Sequence, residues 1–75
     1  MSAELLRRAA KQIRADMVEA REFYESEGAL NRIEASECVA DWLEYQADYG
    51  HLTRHISESD APERLARAYL GEDTP

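Results

Sequence analysis

The chain is short of several things at once, and each shortage excludes something. It has one cysteine, Cys38, so no disulfide can form within it. A lone thiol fits a reducing compartment and thus a cytoplasmic protein. Bases are scarce: nine Lys and Arg stand against sixteen Asp and Glu, a net charge of −7. Direct nucleic-acid binding is not expected, because phosphate contacts need a basic surface. No run approaches the roughly 18 apolar residues of a membrane span, and the first residues lack the apolar core of a signal peptide. Glycine and proline are rare, at three and two, so long segments run without a breaker.

What is present is helical patterning. Seventy-five residues make one domain at most. A chain of this size buries only about 60% of its unfolded surface, so its core is small. The apolar positions Leu6, Ala10, Ile13, Met17, Ala20 and Tyr24 recur at steps of four and three, the seam of one continuous helix. Leu5, Ala9 and Phe23 widen that face. The spacing predicts a first helix over about 3–27, with Ser2 as its cap, Glu4 in the first turn and Gly28 as its stop.

A second helix is expected over about 31–49. It could begin as early as Leu30; Asn31 with Glu34 gives a capping-box start, while a later start at Ser36 would leave Ile33 in a loop. Val39, Trp42, Leu43, Gln46 and Tyr49 read as its inner face, with Trp42 at the centre of the core, and Gly50 as its end. Asp60, Pro62 and Glu63 signal a third helix over about 61–70, closed by Gly71. Glu72 to Pro75 read as a mobile tail. The fold expected is all-α, a small helical bundle. A long antiparallel helix pair carries a short C-terminal helix packed across it, and the core holds Leu6, Ile13, Met17, Val39, Trp42, Leu43, Leu65 and Tyr69.

Charge is segregated. Arg7, Lys11, Arg14 and Arg21 follow the first seam by one position; Glu37, Asp41, Glu44 and Asp48 form an acidic stripe on the second helix. Such flanking rows select partner and orientation in helix packing. They can pair within the chain, pair with a second copy, or leave the acidic stripe open for a basic protein surface. Tyr45 lies on the acidic side of the Trp42–Tyr49 stripe, a placement common at interfaces. Glu37, Asp41, Glu44, Tyr45 and Asp48 are therefore the candidate contact residues.

Other groups read more plainly. His51 and His55 stand four apart, a spacing at which two imidazoles can share a metal, but nothing completes a ligand set. Ser57, Ser59 and Thr53 beside a turn are ordinary capping hydroxyls. Cys38, between Glu37 and Asp41, reads as a small half-buried side chain rather than a nucleophile. No catalytic, cofactor or metal residues are assigned, and no enzymatic activity is expected.

Three pieces carry a resemblance: Glu4-Leu5-Leu6-Arg7-Arg8-Ala9-Ala10, Val39-Ala40-Asp41-Trp42-Leu43 and Leu65-Ala66-Arg67-Ala68-Tyr69-Leu70-Gly71. They resemble small helical proteins of unknown function from actinobacteria and their phages, which share an "LLRxAA … VADWL … ARAYLG" pattern. The resemblance implies no activity, but it implies a phage or actinobacterial origin. The expected function is a non-enzymatic protein–protein interaction module, a small phage protein that binds and modulates a host protein in the host cytoplasm. A structural or assembly role through self-association is the alternative, with a homodimer expected because the first seam is longer than the third helix can cover. An acidic nucleic-acid mimic is the remote one.

Overall fold

The computed structural model describes residues 3–53 and 60–72, with side chains at 3–50 and 60–72. The chain folds into three helices: α1 (Ala3–Ser26), α2 (Leu30–Thr53) and α3 (Ala61–Leu70). The two long helices have 24 residues each and pack along each other. They are antiparallel, since Arg7 pairs with Asp48, Arg14 with Asp41 and Arg21 with Glu37. No described helix is long and apolar enough to cross a membrane.

Both glycine stops work as the sequence predicts. Gly28 and Gly71 sit at φ +68° and +72°, the left-handed region where a side chain is strained. At the first, the Ala29 N–H donates to Tyr24 O (2.8 Å) and the Gly28 N–H to Glu25 O (3.1 Å). At the second, Glu72 donates to Arg67 O and Gly71 to Ala68 O. These are the paired bonds of a Schellman turn, and they satisfy carbonyls that the helix leaves open.

The bounds of α3 are those expected, and those of α2 differ. Helix α2 begins at Leu30, with the Arg32 N–H bonded to Ala29 O (3.0 Å), so Asn31 lies in its first turn and does not cap it. The early start takes Ile33 into the helix, where it is 2% exposed. Gly50 does not end α2; it is buried, and the helix continues to Thr53. Gly50 lies three residues after buried Ala47, on the packed side, and packing outweighs glycine's propensity cost of about 1 kcal/mol. Asp60 precedes α3, but its side chain makes no capping bond. Its backbone, at φ −88° and ψ 31°, lacks the extended shape a side-chain cap needs. Ser2 lies outside the described residues.

The core is built of small residues around a few large ones. Leu6, Ala9, Ala10, Ala40, Leu43 and Ala66 are wholly buried, with Ile13 nearly so. Met17, Val39 and Leu70 are partly buried against them. Of the expected core, Leu6, Ile13 and Leu43 are buried, Met17 and Val39 lie at its edge, and Trp42, Leu65 and Tyr69 are exposed at 40%, 36% and 37%. Phe23 is also outside, 62% exposed, its ring edge-on to Tyr24. The reason is a rotation of α2 by about a quarter turn, at 100° per residue. Its contact line is Ile33, Ala40, Leu43 and Ala47 rather than Val39, Trp42, Gln46 and Tyr49. Alanines on that line, in one buried cluster with Ala9 and Ala10, leave room for two backbones to come close, and dispersion contacts then accumulate along their length.

Helix α3 packs chiefly on α1 and touches α2 little, so it does not lie evenly across the pair. Ala66 is its buried centre, and Pro62 and Glu63 are buried in its first turn. A carboxylate there faces the positive end of the helix dipole.

Candidate interaction surface

The charged rows settle how α2 is turned. Arg7 donates to Asp48 Oδ1 at 2.7 Å. Arg14 reaches Asp41 Oδ1 at 2.6 Å and Glu44 Oε1 at 2.8 Å, and Arg21 stands 4.0 Å from Glu37. The bonds Arg14 donates to Glu44 and Asp41 raise its already high pKa. Lys11, the remaining base of the row, has no ion-pair partner among the described residues. Four of the five candidate contact residues, Glu37, Asp41, Glu44 and Asp48, are thus paired within the chain. The stripe is therefore partly engaged by α1. Three of these carboxylates keep about half of their side-chain surface open, and Asp41 keeps 72%.

The fifth candidate, Tyr45, is set apart from them. It is 50% exposed and stacks at a tilt on Tyr49, ring centroids 5.2 Å apart. With Trp42 and Tyr49 it lies on the side of α2 turned away from the contact line. Cys38 is on the same side and is exposed, not half-buried. Ala35, Cys38, Trp42, Tyr45 and Tyr49 follow steps of three and four, are all exposed, and include no charge. Helix α2 therefore carries two seams of helical spacing, about 200° apart. One, through Ile33, Ala40, Leu43 and Ala47, is spent on α1. The other faces solvent.

Sequence alone does not separate this second seam from the core, because apolar residues occur on both sides of α2 and the larger ones lie on the outer side. A signal was available. Each base of the α1 row follows a seam residue by one position, as Arg7 follows Leu6 and Arg14 follows Ile13. The acids do the same only for the small-residue seam: Asp41 follows Ala40, Glu44 follows Leu43, Asp48 follows Ala47. Two rows that pair must border the same contact, which selects the alanine side.

Beside the exposed seam runs a shallow apolar groove of about 210 Å³, lined by Ile13, Ser36, Val39, Leu65 and Tyr69. Its α3 wall is held by polar ties to α1. Tyr69 donates to Asp16 Oδ2 at 2.5 Å, and Gln12 donates to the other oxygen at 2.8 Å. Bonds from Tyr69 and Gln12 lower the Asp16 pKa, while burial and the Asp16 bond push the Tyr69 hydroxyl up to about 12. Arg8 forks onto both oxygens of Glu72, at 3.0 and 2.8 Å, and holds that carboxyl below its usual range. Of the expected tail, Glu72 carries this pair, and residues 73–75 lie outside the described residues.

Among the described residues no cluster of three His, Cys, Asp or Glu could hold a metal. The side chain of His51, and all of His55, Ser57 and Ser59, lie outside what is described. No protein-family model, no curated protein and no solved structure matches this chain, so its fold and its surface alone carry the functional argument.

Proposed function

We propose that the protein is a non-enzymatic protein-binding module whose contact face is the outer side of α2. The observation that carries this is the exposure of Trp42 and Tyr45, at 40% and 50%, on a charge-free helical stripe. Trp and Tyr concentrate binding energy at interfaces because each buries a large area at little entropic cost. A solvated helix gains nothing from presenting them in register.

The acidic residues serve this face indirectly. Their pairing with α1 accompanies the rotation of α2 that turns the aromatics outward. Immobilised protein tests the reading in three forms: wild type, Trp42→Ser/Tyr45→Ser, and Phe23→Ser as a control from the far end of α1. A cellular protein retained by wild type and control but lost by the double variant is expected, with circular dichroism showing all three folded. Retention that ignores the double substitution would overturn the assignment of the face.

A further inference from the structure

We infer that the occupant of this face is an amphipathic helix with an apolar seam and a row of Lys or Arg along one flank. The inference rests on the interaction reading above and names the partner's chemistry. The exposed seam, from Ala35 to Tyr49, spans about 21 Å at 1.5 Å per residue, the length of a four-turn helix. Its positions alternate by three and four, the repeat that receives another helix's side chains in a knobs-into-holes contact.

The two edges of the seam differ. Along one, Glu34, Asp41 and Asp48 recur every seven residues, each directly before a seam residue: Ala35, Trp42 and Tyr49. Asp41 and Asp48 keep 72% and 49% of their side-chain surface open despite their arginines, so each can accept a second cation. Along the other edge, Val39 leads into the apolar groove walled by Leu65 and Tyr69. An acidic edge and an apolar edge select a helix that is basic on one flank and apolar on the other.

A second copy fits worse. It brings another net charge of −7, and in an antiparallel pairing of the two seams it sets acidic edge against acidic edge. Like charges so placed are destabilising.

Trp42 is the only tryptophan, so its fluorescence reports on this face alone. The probes are three synthetic helical peptides: leucine seam with lysine flank, leucine seam with glutamate flank, and serine seam with lysine flank. The first is expected to shift Trp42 emission to the blue and to saturate. Both others are expected to bind at least tenfold more weakly. Tyr45→Ala is expected to weaken the first peptide at least tenfold, Glu34→Lys to narrow the preference for lysine, and Phe23→Ala to change nothing.

Equal binding of the lysine- and glutamate-flanked peptides, or of the leucine- and serine-seam peptides, would overturn the proposal. So would a low-salt dimer whose formation by itself shifts Trp42 emission, since a second copy would then own the seam. If all three peptides fail while a cellular protein is still lost with the Trp42/Tyr45 substitution, the helix chemistry is wrong and the module stands. If neither responds, the module reading fails as well.

Discussion

Leu43 and Trp42 stand one residue apart and point to opposite surroundings, so truncating them has unlike consequences. Leu43 is wholly enclosed between α2 and α1. Leu43→Ala removes its transfer energy and leaves a cavity, for a loss of about 2–5 kcal/mol in urea unfolding. Trp42→Ala, from a face 40% exposed, is expected to cost less than about half as much, while abolishing the binding signal. A loss from Trp42→Ala as large as that from Leu43→Ala would mean the indole packs in the core. Tyr69 makes a contribution to stability that depends on pH. Its hydroxyl ionises later in the folded state, near 12 rather than 10. The stability it contributes is therefore complete below pH 10 and lost as pH rises through about 12. Asp16 and Glu72 have the opposite sign. Their folded pKa values are depressed, so their contribution is present above the ordinary carboxylate range and is lost as pH falls through the lowered values. All three groups tie α3 to α1. Melting followed by circular dichroism should fall at both ends, and Tyr69→Phe should remove the loss between pH 10 and 12. A melting curve of Tyr69→Phe that still falls there would assign that loss to another group.

At the scale of elements, the helices follow from local chemistry, and the way one of them is turned does not. The absence of breakers from Ala3 to Ser26, and glycines free to take positive φ at 28 and 71, define α1 and the end of α3. Gly28→Ala should therefore cost about 1 kcal/mol through backbone strain alone, since an added Cβ meets nothing within 4 Å. A neutral effect in thermal unfolding would mean the turn relaxes. Gly50 shows the limit of such reading, because a glycine inside a well-packed helix looks the same in sequence as one that ends it. The rotation of α2 depends on which of two apolar seams α1 accepts, and that is a property of the pair. Hydrophobicity favoured Val39, Trp42, Leu43 and Tyr49; close approach and the ion pairs favoured Ala40, Leu43 and Ala47, and only Leu43 is common to both. The same ambiguity hid the candidate face: Tyr45 was legible as a contact residue, but Trp42 was not, and the acids beside it turned out to orient the fold. Arg14, which holds both Asp41 and Glu44, is the place to test that. Arg14→Glu should destabilise the pair of long helices, and Asp41→Arg introduced with it should restore part of the loss. A coupling of about 1 kcal/mol or less is expected, as for other exposed pairs, and a coupling of zero would remove the arginine row from the account of how α2 is turned.

For the whole molecule, the deciding property is the solution mass. Helix α2 matches α1 in length and covers its seam fully from Leu6 to Ile13, with Met17 and Tyr24 half-covered. The main apolar reason for α1 to seek a second copy is thereby met within the chain. The remaining apolar seam, on α2, is bordered by acids in a molecule of net charge −7, which sets copies against one another at low ionic strength. The protein is therefore expected to sediment as a monomer of 8.6 kDa at low salt. Salt shortens the reach of these charges from about 10 Å at 0.1 M to about 3 Å at 1 M. It also strengthens no ion pair, so any self-association that the acidic edge suppresses must grow with salt and diminish in Tyr45→Ala. A dimer that forms at low salt and dissociates as salt rises has the opposite sign. It would mean that Arg7, Arg14 and Arg21 reach across to another chain's acids, and that the helix rotation argued from their pairing within one chain belongs to an assembly instead.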